Sequence, residues 1–305
     1  MKILLLGANG QVGFELQRSL APLGDVVAAT RSGTLPGGIA GERADFHDAA
    51  ALRALCDRVA PQLIVNAAAH TAVDRAEDEE TLAQQANGDA PGILGAWAAA
   101  HDAAVVHYST DYVFDGQGTR PYREDDATAP LGAYGRSKLA GEQALAASGA
   151  EFLNFRTAWV YGARGGNFLR TMLRLARERD RLGIVADQRG APTPARLIAQ
   201  TTALALARWL PLARETRRAQ SGHYHLVSAG ECSWHEFAGE IFALAHAAGL
   251  IERIPEVAAI ATADYPTKAR RPAYSVLDTR RLRDTFGLSL PHWRQGLRDV
   301  IGELA

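Results

Sequence analysis

The chain has 305 residues, enough for two domains or for one large domain with an appended lobe, and long enough to bury a core without staples. Its 33 basic and 34 acidic residues give a formal net charge of -1, which supplies no reason to expect nucleic acid or a membrane surface as a partner. Cys56 and Cys232 cannot make a disulfide framework, no Cys/His cluster has zinc spacing, and no apolar run is long enough to span a bilayer, so a reducing cytoplasm is the expected compartment.

In chain order, the first half alternates short β-branched runs with helical patterns. Strands are predicted at 3–6, 26–29, 63–66, 105–108 and 152–155, and helices begin near Gln11, Asp48, Glu79, Ala133 and Asn167. Strands that alternate with helices imply crossover connections and a parallel sheet covered on both faces. The second half reads as a helix over 194–210, a polar exposed connection at 214–222, and a short strand at 224–227. A helix follows over 233–248, where Ser233 and Glu236 have capping-box spacing. A segment rich in proline and basic residues lies at 264–272, and a last helix starts near Pro291. The fold class is therefore α/β: a Rossmann-like doubly wound parallel sheet with a smaller, mainly helical substrate-binding lobe. Residues 1–160 are assigned to the dinucleotide-binding domain, with later strand contributions allowed, and 161–305 mainly to the lobe.

Gly7-Ala8-Asn9-Gly10-Gln11-Val12-Gly13 joins the first strand to the first helix. Gly7 allows a tight turn, Gly10 lets backbone approach a pyrophosphate, and Gly13 lets the helix pack close to the strand. The free N–H groups of the helix, at Gln11 and Val12 among others, then face the anion. The second strand ends Ala28-Ala29-Thr30-Arg31-Ser32, with no carboxylate to hold a ribose 2′-hydroxyl. Arg31 suits a 2′-phosphate instead, which favours NADPH over NADH without excluding the latter. Asp45 and Phe46 are candidate adenine contacts, and Ala67, Ala68 and Ala69 would let backbone approach the cofactor.

Tyr134 and Lys138 are four apart, so a helix places them on one face. A nearby ammonium favours the phenolate and lowers the pKa of a tyrosine, which makes it a general acid or base near neutral pH. A strand carrying His107 and Tyr108 delivers Ser109-Thr110-Asp111 at its carboxyl end, where a hydroxyl can bond the same substrate oxygen.

With these motifs in this order, the chain resembles the extended short-chain dehydrogenases/reductases, and among them the dTDP-4-dehydrorhamnose reductase family. The resemblance rests on residues 7–17, 65–74 (Val-Asn-Ala-Ala-Ala-His-Thr-Ala-Val-Asp), 107–114 (His-Tyr-Ser-Thr-Asp-Tyr-Val-Phe), 134–142, 155–161 (Phe-Arg-Thr-Ala-Trp-Val-Tyr), 187–193 and 269–272. It implies reduction of the 4-keto group of dTDP-4-dehydro-L-rhamnose by NAD(P)H, in dTDP-rhamnose and polysaccharide biosynthesis. Tyr134 would then protonate the keto oxygen, Lys138 would hold the nicotinamide ribose, and Thr110 would bond the same oxygen. Asp111, Tyr112 and Trp159 would contact the sugar, Tyr108 would line the cofactor, and Asn167, Gln188 and Arg271 would contact the nucleotide part of the substrate. Arg270 is a second candidate for the diphosphate. His70 and Trp97 read as structural, His107 as packed away from the site, and Asn87 as part of a bent helix without a role.

Related reductases can hold magnesium at a dimer interface. Glu15 is present, but Arg196 lies where a further carboxylate is common, so no metal is expected and a homodimer is left open. Two other readings remain. A nucleotide-sugar dehydratase would carry Asp-Glu after the strand-end threonine, where this chain has Asp111-Tyr112, and an epimerase would retain its cofactor. A non-catalytic NADP-binding regulatory subunit would keep a stable protein partner.

Overall fold

The computed structural model describes residues 1–305. Seven strands form one parallel sheet: β1 (Lys2–Leu6), β2 (Asp25–Thr30), β3 (Glu42–Arg43), β4 (Leu63–Asn66), β5 (Ala104–Thr110), β6 (Glu151–Thr157) and β7 (Gly222–His225). Their order is β7-β6-β5-β4-β1-β2-β3, so the chain reverses direction across the sheet between β1 and β4. A crevice opens at such a switch point, beyond the carboxyl ends of the strands.

Alternate side chains of each strand serve opposite faces. Ile3, Leu5, Val65, Val106 and Leu153 pack under α1 (Gln11–Leu20), α6 (Ala195–Trp209) and α8 (Arg280–Phe286). Leu4, Leu6, Ile64, Val105 and Phe152 pack under α2 (Ala49–Val59), α3 (Ala90–Ala100) and α4 (Ala133–Ala147). A separate core joins α5 (Phe168–Glu178), α7 (Trp234–Ala247) and α9 (Trp293–Gly302) around Leu173, Ile184, Phe237, Phe242, Trp293 and Leu297. The chain therefore returns to the large sheet after residue 160, through α6, β7 and α8.

The capping box at Ser233 and Glu236 is present. The last helix starts at Trp293 with His292 as its N-cap, two residues after the expected point. The stretch 214–222, expected as a polar connection, contains the fully surface-lying helix Arg214–Ala219, which buries no residue and so gives no apolar periodicity. Several elements gave no sequence signal, α8 and a small strand pair among them. α8 carries only Leu282 and Phe286 as buried residues among arginines, and the strand Glu256–Ile260, paired with Arg181–Val185, has no buried face.

Candidate active site

The glycine turn is built by steric necessity. Gly7 has φ +76°, and a Cβ there would lie 2.6 Å from the Ala68 nitrogen, so the turn packs directly on the Ala67–Ala69 loop after β4. A Cβ on Gly13 would run into the Gly7 carbonyl oxygen. Gly10 is exposed, with the Gly7 oxygen as its one close neighbour, so its outer side is open to a ligand. Gly10 caps α1 without a side-chain bond, and the first turn has no acidic residue. Free N–H groups and an unblocked positive helix end fit a pyrophosphate. Gln11 is tied down, its Oε1 accepting from Asn167 Nδ2 at 2.9 Å, and Val12 packs partly into the core.

Arg31 is exposed just beyond β2. The register pairs Thr30 with Arg43, which brings a second exposed guanidinium to the same strand end. Nothing in the sequence announced Arg43, because β3 is only two residues long. Asp45 accepts from the His47 backbone N–H, and Phe46 lies half-buried against the α2 face.

The catalytic candidates meet where α4 crosses the end of β5. The Tyr134 phenol lies against the Thr110 hydroxyl, and burial raises its pKa above that of free tyrosine. The sequence leads one to expect lowering by Lys138, but desolvation raises the group and only the Thr110 hydrogen bond opposes it, so it stays a phenol. Thr110 Oγ1 donates to Asp111 Oδ1 at 2.9 Å and accepts from the Tyr112 N–H at 3.2 Å. Asp111 is buried, and its Oδ2 has no partner. Burial pushes this carboxyl up to about 6, against the nearby Ser275 hydroxyl and the hydrogen bond from Thr110. Tyr112 meets Tyr134 edge-on, with ring centroids 5.7 Å apart.

Lys138 is fully buried, and its Nζ donates to the Tyr108 carbonyl at 2.6 Å. Two expectations need correction here. The Tyr108 ring does not line the cofactor site, because it points into the α6 face and bonds Thr202 Oγ1 at 2.8 Å, leaving only its carbonyl for the site. His107 does not point away, because α4 covers the face it occupies, and its Nε2 lies 3.3 Å from Lys138 Nζ. Asn87 is also engaged. It sits in a π-helical turn, Gln85–Asp89, bonds both backbone groups of His70, and donates to Ser137 Oγ. Single-turn π insertions of this kind recur at functional sites.

The sugar side is assembled from distant residues. Trp159, at φ +49°, stacks on Trp234 with centroids 3.5 Å apart and planes 5° apart. Gly190 is required beneath, since a Cβ would collide with the Trp159 indole. Gln188 is buried, accepting from Trp234 Nε1 at 3.2 Å and donating to Thr262 Oγ1 at 3.1 Å. Its amide therefore braces the stack, and Asn167 likewise is the N-cap of α5. Both were expected to touch substrate, yet their side-chain bonds are made within the protein. Arg271 pairs with Asp74 at 2.9 Å, whereas Arg270 is exposed. Ser275 and Trp234 carry no sequence signal of their own, since Trp234 reads only as the first residue of a capped helix and Ser275 lies just outside the 269–272 segment.

Arg196 lies between Glu15, at 3.4 Å, and Glu303, at 2.5 Å. A guanidinium in that position occupies the carboxylates a cation would need, and no group of three or more His, Cys, Asp or Glu residues is arranged to hold a metal. These residues do not fit a magnesium site.

A glycine turn, a strand-end threonine and a helical Tyr-Lys pair on one parallel sheet define a short-chain dehydrogenase/reductase. The family model for the RmlD substrate binding domain matches residues 1–305, and the chain belongs to that family. A dTDP-4-dehydrorhamnose reductase of Burkholderia thailandensis is 48% identical over 99% of this chain and 100% of its own. The crystal structure of a dTDP-4-dehydrorhamnose reductase from Clostridium acetobutylicum, 35% identical, covers 100% of this chain and 99% of its own with a TM-score of 0.86. The Bacillus anthracis dTDP-4-dehydrorhamnose reductase, solved with NADP, is 32% identical, covers 99% of both chains and has a TM-score of 0.85. No helix of the present chain is long and apolar enough to cross a membrane.

Proposed function

We propose that the chain reduces the 4-keto group of dTDP-4-dehydro-L-rhamnose, with NADPH as the preferred reductant and NADH as the alternative. The observation that carries this reading is the Tyr134–Thr110–Asp111 cluster at the end of β5, with Thr110 and Asp111 buried and Tyr134 half-buried, beside Lys138 and across the switch point from the open glycine turn. When bound, the nicotinamide supplies the hydride. The α1 N-terminus, Gly10 and the Ala67–Ala69 loop would hold its dinucleotide, and Arg31 with Arg43 a 2′-phosphate.

Reduction of a ketone needs a proton donor at the carbonyl oxygen, and a phenol kept protonated by burial is one. Thr110 has a single hydroxyl proton, bonded to Asp111. Once the Asp111 carboxylate accepts a substrate hydroxyl instead, that proton is released to the keto oxygen. Asp111 thereby links sugar recognition to carbonyl polarisation. The stacked Trp159 and Trp234 offer the sugar an apolar wall, braced by Gln188, and Arg271 stands by for the diphosphate. The cytoplasm is the compartment consistent with two buried free cysteines and no apolar span.

The test is turnover of enzymatically prepared dTDP-4-dehydro-L-rhamnose with NADPH and NADH in parallel, the product being identified by NMR. Formation of dTDP-L-rhamnose with one equivalent of cofactor oxidised supports the reading. Folded protein that binds NADPH but leaves the sugar unchanged would overturn it.

A further inference from the structure

Beneath Lys138 a row of four polar side chains crosses the sheet. The register pairs Asn66 of β4 with His107 of β5, His107 with Asn154 of β6, and Asn154 with His223 of β7. Asn66, His107 and Asn154 are fully buried, side by side across three adjacent strands. Buried amides and imidazoles persist only where their hydrogen bonds are specified.

The bonds fix the ring's tautomer. The Ala68 backbone N–H can only donate, and Asn66 Oδ1 accepts it at 3.2 Å. The Asn66 amide is thereby oriented with Nδ2 towards His107 Nδ1, 3.1 Å away. An amide nitrogen only donates, so Nδ1 of the ring is the bare, accepting nitrogen. A neutral imidazole then carries its proton on Nε2, the atom 3.3 Å from Lys138 Nζ. An N–H aimed at an ammonium has no acceptor, whereas an N–H aimed at a neutral amine meets its lone pair.

We propose that Asn66 and His107 are positioning residues for the Tyr134–Lys138 pair: Asn66 locks His107 as the Nε2–H tautomer, and that N–H stabilises Lys138 as a neutral amine. The amine then donates one N–H to the Tyr108 carbonyl and accepts from the ring through its lone pair. The lysine becomes able to give up its proton within the working pH range, and the imidazole changes no proton of its own.

The surroundings agree. Burial brings Lys138 down to about 8, and the Glu142 carboxylate one turn along α4 pulls the other way. Glu142 is itself bound by the Arg156 guanidinium of β6, through bonds of 2.9 and 2.7 Å, so little of its charge is free to hold an ammonium. Burial above all holds His107 well below its ordinary range, which keeps the ring neutral whether or not Lys138 is charged. His223 accepts from Asn154 Nδ2 at 2.8 Å and is also held low, chiefly by burial. The lock further ties Lys138 to the Ala67–Ala69 loop, so the loop against Gly7 and the Tyr-Lys pair share one hydrogen-bonded path.

Although the inference rests on Tyr134 and Lys138 being the working pair, NMR tests it on the full chain without turnover. The chain has three lysines, Lys2, Lys138 and Lys268, so isotope-labelled lysine gives a resolvable titration, with Lys138 assigned by its loss in Lys138→Met. Imidazole nitrogen shifts read the His107 tautomer directly. The expected result is a neutral ring protonated on Nε2. In Asn66→Asp the carboxylate accepts from Nδ1–H, the tautomer flips, and the Lys138 titration moves up by about one pH unit, the effect of a gained acceptor. His107→Phe adds no charge and moves it the same way, and the alkaline limb of kcat moves with it in both variants. A wild-type ring protonated on Nδ1 overturns the proposal even if neither variant folds, as does a Lys138 titration that stays put or falls in both. Loss of sugar turnover with these titrations intact counts against the proposed reaction alone.

Discussion

The two sides of the cleft are built in different ways. The cofactor side is made of backbone: Gly7, Gly10 and Gly13 turn within seven residues, and the fit is set by atoms that cannot move, such as the Gly7 carbonyl under Gly13. The sugar side is made of side chains drawn from four separated segments, with Trp159, Gln188, Trp234 and Thr262 bonded or stacked on one another. Backbone construction tolerates no added atom, whereas a side-chain bracket can lose a member and keep part of its shape. Between them lies the floor formed by Tyr134, Thr110 and Lys138, on which both sides depend.

The largest expected effect is on that floor. Tyr134→Phe should lower kcat by about 10²–10⁴-fold, the usual worth of a positioned acid, while calorimetry finds NADPH affinity unchanged. On the backbone side, Gly13→Ala should destabilise the fold by about 1–3 kcal/mol through overpacking and weaken NADPH binding with it, read by denaturant unfolding with and without cofactor. On the bracket side, Trp234→Ala should raise KM for the sugar by up to about tenfold, the worth of one aromatic pair, and leave KM for NADPH in place. An equal rise in both would mean that the two sides are not separable.

The pH dependence sharpens the same contrast. Asp111 is raised to about 6, so it is ionised above that value and becomes protonated as the pH falls through it. A neutral carboxyl accepts substrate hydroxyls poorly, so KM for the sugar should rise on acidification below about 6, and Asp111→Asn should abolish that limb. The smallest effect belongs to the rim. Arg31→Ala and Arg43→Ala should each reduce the preference for NADPH over NADH by about two- to fivefold, the worth of an exposed charge pair, in parallel steady-state assays.

What could be read from the chain follows the same division. The glycine turn and the Tyr134–Lys138 pair are local patterns, and α1 and α4 start at Gln11 and Ala133 as the sequence indicates. The bracket is not local. Trp234 lies 75 positions from its stacking partner Trp159, and no spacing rule links them. Gln188 and Asn167 were legible as polar residues near the site, but only packing shows that their amides are bonded within the protein. His107 was misplaced for a definite reason. Alternation along β5 puts it opposite the Tyr108 ring, and the face opposite Tyr108 is the one that α4 covers with Lys138. Period-two reasoning gave the alternation correctly, but which face carried the chemistry depended on a helix that begins 26 residues later.

The most direct measurement is stopped-flow loss of reduced-nicotinamide absorbance on mixing NADPH-loaded protein with dTDP-4-dehydro-L-rhamnose, for the wild type and for Tyr134→Phe. The account predicts a substrate-dependent single-turnover decay in the wild type and a decay slowed by at least about a hundredfold in the variant, with cofactor still bound. Equal decays in the two proteins would contradict Tyr134 as the proton donor and, with it, the floor on which both sides of the cleft converge.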